Sequence, residues 1–263
     1  MKTVERKGED MKMRFKGMVA VVTGGGSGIG QAIAVGFAKE GARVVIASIV
    51  ESELKEVCGQ IRGFGGNCLA VTADVTKALE VKRMVAAANK EFGEVDILVN
   101  CAGTTIEKTI VEMSERDWDR VHDVNLKASF LCSREVLSAM MRRNSGKIVN
   151  LASICSKLNC AFARGAAYCS SKAGLLSLTA AMAAEVKKYN ININAILPAR
   201  TNTAMFRKYH PKYRQVEGLM EPEDIAKVAL FLCTEDAKAI KGVPIEVSNG
   251  QELQGWDGPE EQK

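Results

Sequence analysis

The sequence predicts an α/β fold with a doubly wound, seven-stranded parallel sheet in a single domain, on three observations. Short β-branched runs alternate with longer helical patterns along the chain. Several of those runs are almost continuously apolar, as strands are when helices cover both faces of a parallel sheet. The first run also passes directly into a glycine-rich turn and then a helix. Strands are predicted at "MVAVVTG" (18–24), "ARVVIAS" (42–48), "NCLAVTADV" (67–75), "VDILVNCAG" (95–103), "GKIVNLAS" (146–153), "NINAILP" (192–198) and "GVPIEVS" (242–248). Helices are expected between them at about 28–40, 51–62, 77–92, 114–142, 166–189 and 222–233. No repeat, low-complexity tract or linker breaks this order. The domain is therefore placed at residues 14–251, with polar tails at 1–13 and 252–263.

With 263 residues, 47% of them hydrophobic, the chain can bury one substantial core. A formal net charge of +5 is spread along the sequence instead of clustering on one element, which argues against nucleic acid while permitting acidic ligands. Eight cysteines form no CxxC pair and the chain has only two histidines, so no metal site is predicted. The thiols are expected to be reduced and mostly buried, as in a cytoplasmic protein. The charged N-terminal stretch has no apolar h-region, and no later run reaches the roughly 20 residues of a membrane span, so no membrane association is expected.

In "TGGGSGIG", Gly24, Gly28 and Gly30 join the first strand to the first helix. A turn this tight needs residues free of a Cβ, some at positive φ, so that backbone N–H groups and the helix N-terminus can approach a pyrophosphate. At the opening of the first βαβ unit the loop, with Ser27 and Ile29, reads as a dinucleotide site. An acid about 20 residues on ordinarily takes the adenosine ribose and selects against a 2′-phosphate. Here Ser48 and Ile49 occupy that place, no Arg or Lys follows, and Glu51 and Glu53 lie close downstream. The cofactor is NADP or NAD, with a slight lean to NADP because the expected acid is missing.

Tyr168 and Lys172, in "YCSSK", stand one helical turn apart on one face. A cation there stabilises a phenolate whose ordinary pKa of about 10 makes it a poor base at neutral pH. A half-buried tyrosine beside a snorkelling lysine would give the same spacing.

Taken with "TGGGSGIG", "DVT" (74–76), "NCAG" (100–103), "VNL" around Asn125 and "NLAS" ending in Ser153, the pair gives a sequence that resembles the short-chain dehydrogenase/reductase family over about residues 15–250. Within that family it is similar to 3-oxoacyl-thioester reductases and related alcohol dehydrogenases. The resemblance implies a Rossmann-type domain and a catalytic set. Tyr168 would be the acid in carbonyl reduction and the base in alcohol oxidation. Ser153 would hydrogen-bond the substrate oxygen; Lys172 would lower the tyrosine pKa and hold the nicotinamide ribose. Asn125 would keep a water that relays protons from Lys172. For the cofactor it assigns Asp74 and Val75 to the adenine edge, and Asn100, Ala102 and Gly103 to the adenosine ribose and central sheet. Pro198 and Thr203 match near the nicotinamide amide. Ala199 and Arg200 in "PARTNTAM", "VSNG" near the end and "GLMEPED" depart from the family pattern.

The expected activity is interconversion of a ketone and a secondary alcohol, with 3-oxoacyl thioesters as one substrate class and sugars, polyols, steroids or other small alcohols as another. A non-catalytic dinucleotide sensor is the reading from a different class. Arg207, Lys208, Lys212 and Arg214, with Tyr209, His210 and Tyr213, make a basic and aromatic loop that suits an anionic substrate or is simply solvated. Arg142, Arg143, Lys187 and Lys188 resemble carrier-docking positions, although cations at helix C-termini are favoured by the helix dipole alone. The family resemblance implies a homo-oligomer, tetramer or dimer, formed through the helices at 114–142 and 166–189 and the last strand.

Overall fold

The computed structural model describes residues 13–210 and 219–251, so the tails at 1–12 and 252–263 and loop residues Lys212, Tyr213 and Arg214 lie outside the described residues. Seven parallel strands form one sheet: β1 (Val19–Thr23), β2 (Arg43–Ser48), β3 (Asn67–Thr72), β4 (Ile97–Asn100), β5 (Gly146–Leu151), β6 (Ile191–Pro198) and β7 (Pro244–Val247). Their order is β3-β2-β1-β4-β5-β6-β7. The chain therefore starts in the middle of the sheet, builds outward to β3, then returns past β1 to build the other half. The crevice between β1 and β4 is where the strand order reverses.

Every residue of β1, β5 and β6 is buried. Along β1, Ala20 and Val22 face one apolar layer while Val21 faces the other, which is why these strands are apolar without alternation. The first layer is closed by α1 (Gly28–Lys39), α2 (Glu51–Gly63) and α8 (Pro222–Leu232), and the second by α3 (Ala78–Phe92), α5 (Ala128–Arg143) and α6 (Ala166–Glu185). Helix starts follow local chemistry. Ser114 caps α4 (Glu115–His122) by accepting the Asp117 N–H at 3.2 Å. Glu221 and Asp224 form a reciprocal capping box on α8, with Pro222 at its first position.

Four differences from the sequence-based expectations have physical reasons. The helix predicted at 114–142 is α4 and α5 joined by a π turn over Asp123–Lys127. The third and fourth strands stop at Thr72 and Asn100, because the residues beyond them leave the ladder to line the crevice. A short helix, α7 (Ala204–Tyr209), stands where no helix was predicted. Finally, Cys58 on α2 and Cys68 on β3 are joined by a disulfide, their Cα atoms 5.4 Å apart, which corrects the expectation that all eight thiols are reduced. Helix and strand bring the two residues together across their packed faces, a closeness that cysteine spacing in the sequence does not disclose. Among the described residues no helix is long and apolar enough to cross a membrane.

Candidate active site

A cleft of about 430 Å³ opens over the carboxyl ends of β1, β4, β5 and β6. Its floor at the strand reversal is set by Thr23, whose hydroxyl accepts the N–H groups of Cys101 and Ala102, each at 3.1 Å. The two loops are drawn so close that a Cβ on Gly24 would lie 2.9 Å from the Ala102 backbone, and Gly24 itself has φ of 65°. A Cβ on Gly30 would stand 2.2 Å from the Gly24 carbonyl oxygen. The glycines are therefore steric necessities, and with the N-terminus of α1 they leave a cradle of backbone that a pyrophosphate fits.

Ser27, Gly28, Ile29, Ser48, Asp74, Val75, Ala102, Gly103, Pro198 and Thr203 line the same cleft, with Gly24 and Gly30. Thr203 caps α7 by accepting the Phe206 N–H at 3.1 Å and lies opposite Gly28. Asp74 holds a turn: its carboxylate accepts the Thr76 N–H at 2.9 Å and hydroxyl at 2.7 Å. Burial alone would raise the Asp74 pKa, but these bonds outweigh it and hold the carboxyl below its usual value. Asn100 is the exception, since it does not line the cleft. Its amide donates to Asn150 at 2.8 Å and Ser133 at 3.1 Å, so it braces the central sheet, the second of the two roles the resemblance implied. The Ser48 hydroxyl accepts the Val50 N–H at 3.2 Å, and the Glu53 carboxylate folds back over the glycine loop, 2.9 Å from where a Gly26 Cβ would be, a point 3.5 Å from the Ser48 Cβ.

Ser153 follows β5, and Tyr168 and Lys172 stand on α6; all three line the cleft. The Lys172 ammonium donates to the Leu151 carbonyl at 2.6 Å and lies 5.9 Å from the centre of the Tyr168 ring. Burial pushes the Tyr168 hydroxyl above its ordinary pKa, the neighbouring Cys155 adds to this, and a hydrogen bond from Ser153 acts in the opposite sense. Burial also lowers Lys172 to about 8. In the protein alone, desolvation is the largest influence on both groups and favours their neutral forms.

Asn125 sits in the π turn behind the cleft wall. Its Oδ1 accepts the Thr104 N–H at 2.8 Å, and its amide donates to the Thr104 carbonyl and the Ser171 hydroxyl, each at 2.9 Å. Both amide hydrogens are therefore committed to bracing the chain after β4 against α6. Sequence reasoning missed Glu107, which lines the cleft from a segment with no periodicity or motif to mark it. It also left Arg142 and Arg143 as candidate docking cations, whereas both are paired with Glu94, at 3.0 and 2.8 Å.

A dinucleotide cradle beside a serine, tyrosine and lysine at the carboxyl ends of a parallel sheet defines a dehydrogenase-type site. A family model described as short chain dehydrogenase matches residues 18–214, and the chain belongs to that family. It is 36% identical to an NAD-dependent glycerol dehydrogenase of Listeria innocua, over 93% of this chain and 97% of that one. It is 33% identical to a 3-oxoacyl-[acyl-carrier-protein] reductase of Thermotoga maritima, over 90% and 99%. Among solved structures, levodione reductase superposes with a TM-score of 0.85 at 28% identity, covering 90% of this chain and 98% of that one.

Proposed function

We propose that the protein is an oxidoreductase interconverting a secondary alcohol and a ketone with a nicotinamide dinucleotide. The observation carrying this reading is the convergence of Ser153, Tyr168 and Lys172 on one wall of the glycine-loop cleft. A bound nicotinamide supplies or accepts the hydride at the substrate carbon. Tyr168, a phenol protonated at neutral pH and kept so by burial, gives its proton to the substrate oxygen during reduction and recovers one during oxidation. Ser153 holds that oxygen. The Lys172 ammonium, fixed by the Leu151 carbonyl, stabilises the phenolate formed. Asn125 positions this wall through Thr104 and Ser171.

The adenosine end takes Gly24, Ser27, Gly28, Ile29 and Gly30 on the pyrophosphate side, Ser48 at the ribose, and Asp74 and Val75 at the adenine. Ser48 alone leans to NADP, but the Glu53 carboxylate over the glycine loop at Gly26 opposes a 2′-phosphate and can accept ribose hydroxyls, so the reading is NAD. The NAD-dependence in the name of the Listeria relative agrees.

The protein assembles as a homo-oligomer through α5 and α6. Ala173, Ser177, Ala180 and Ala184 form an exposed face of small residues on α6, and Phe130 on α5 is 43% exposed. The test of function is hydride transfer, followed by nicotinamide absorbance, with NADH and NADPH against ketones and acetoacetyl thioesters and in reverse against alcohols. Turnover of at least one ketone–alcohol pair is expected. Tight cofactor binding without any turnover would favour the sensor instead.

A further inference from the structure

Glu107 lies on the wall of the same cleft, in the segment between β4 and α4. Its side chain is only 8% exposed, and the ionisable group beside it is His210, whose Nε2 stands 3.6 Å from Oε1, beyond hydrogen-bond length, and whose ring burial drives toward the neutral form. No described residue donates a hydrogen bond to this carboxyl. Its carboxyl oxygens keep access to the open cleft, so a substrate that displaces water there must replace the hydrogen bonds the acid loses.

The backbone leaves Glu107 no retreat. Thr104 is bridged on both its N–H and carbonyl by Asn125. The Thr105 carbonyl accepts the Tyr209 hydroxyl at 2.7 Å, and the Lys108 N–H donates to the Arg164 carbonyl at 3.1 Å. The segment is thus pinned on both sides of the acid. Glu107 is also close enough to the reacting end for its charge to raise the pKa of Tyr168.

We infer that Glu107, flanked by His210, binds a second hydroxyl of the substrate, one that does not react, so that the preferred substrates are polyols and hydroxyketones. This rests on the alcohol–ketone reading above. A hydroxyl supplies the donor that the carboxyl lacks. The acyl chain of a thioester would instead leave the acid unpaired against apolar carbon. A cationic substrate would meet the positive charges of Arg200 and Arg164, which already act on His210 and Glu107.

The test compares 2,3-butanediol with 2-butanol as substrates of the enzyme loaded with NAD. At about pH 8.5, where the Glu107 carboxyl, raised by burial to about 7, is ionised, the diol should have a kcat/KM at least about tenfold higher, mainly through KM, as expected for one hydrogen bond to a charged acceptor. Glu107→Leu should bring that ratio close to one, whereas Glu107→Gln, which still offers an acceptor, should retain part of it. Fluorescence titration with NADH verifies that each variant folds and binds cofactor; should Glu107→Leu fail this check, Glu107→Gln decides by the size of its loss. Turnover of 2-butanol or acetoacetyl thioester without preference for the diol would overturn this inference alone, as would an unchanged ratio in both variants. Failure to turn over any alcohol, ketone or thioester would overturn the alcohol–ketone reading as well.

Discussion

Lys172 is a buried ammonium that donates to the backbone carbonyl of Leu151, and its position has a thermodynamic signature. Its pKa falls from 10.5 to about 8 on folding, so the unfolded chain binds the proton more tightly. The cost of burying the charge is fully present below pH 8, shrinks as pH rises, and is gone above about 10.5. Wild type should therefore gain stability relative to Lys172→Met between about pH 8 and 10.5, by an amount on the order of 3 kcal/mol. Chemical denaturation of both proteins at pH 7.5 and 10 checks this, and parallel pH dependences would remove the burial argument. Glu53 is the second residue with a measurable consequence. If its carboxylate opposes a 2′-phosphate, Glu53→Gln should narrow the preference for NADH over NADPH by about tenfold, read as the ratio of the two Kd values. An unchanged ratio would place the selectivity elsewhere.

The π turn between α4 and α5 is the element on which the cleft wall depends. It carries Asn125, whose side chain ties the segment after β4 to α6 by three hydrogen bonds, the one to Ser171 fully buried. Asn125→Ala would leave the Thr104 backbone groups without partners, and a loss of about 2–4 kcal/mol is expected. The midpoint of urea unfolding, at unchanged slope, measures it. Nothing in the sequence marked this turn, because 114–142 carries a helical pattern throughout and a π turn adds one residue without interrupting it. Strand cores were legible for the opposite reason. Runs such as "VAVVT" must be buried on both faces, and no solvent-facing alternative suits them. Strand ends were less legible, since residues such as Ala102 and Val75 leave the ladder only because the neighbouring chain does too.

Across the whole molecule, motif residues far apart in sequence meet at one crevice, and the order of the strands is what brings them there. Family motifs therefore pointed to residues of one cleft, the glycine loop and Ser153, Tyr168 and Lys172. Glu107 stayed hidden, since only its place on the cleft wall distinguishes it from any loop acid. The exposed small-residue face of α6 predicts assembly at this same scale: sedimentation equilibrium should give a dimer or tetramer, and Ala180→Arg should shift it toward monomer. A monomeric wild type would refute that surface as an interface. The central claim is that the Tyr168 hydroxyl carries the reacting proton. Single-turnover reduction of a ketone by enzyme saturated with NADH, comparing wild type with Tyr168→Phe, tests it most directly. A rate reduced by at least about 100-fold with unchanged NADH affinity is the predicted result; a variant as fast as wild type would contradict it.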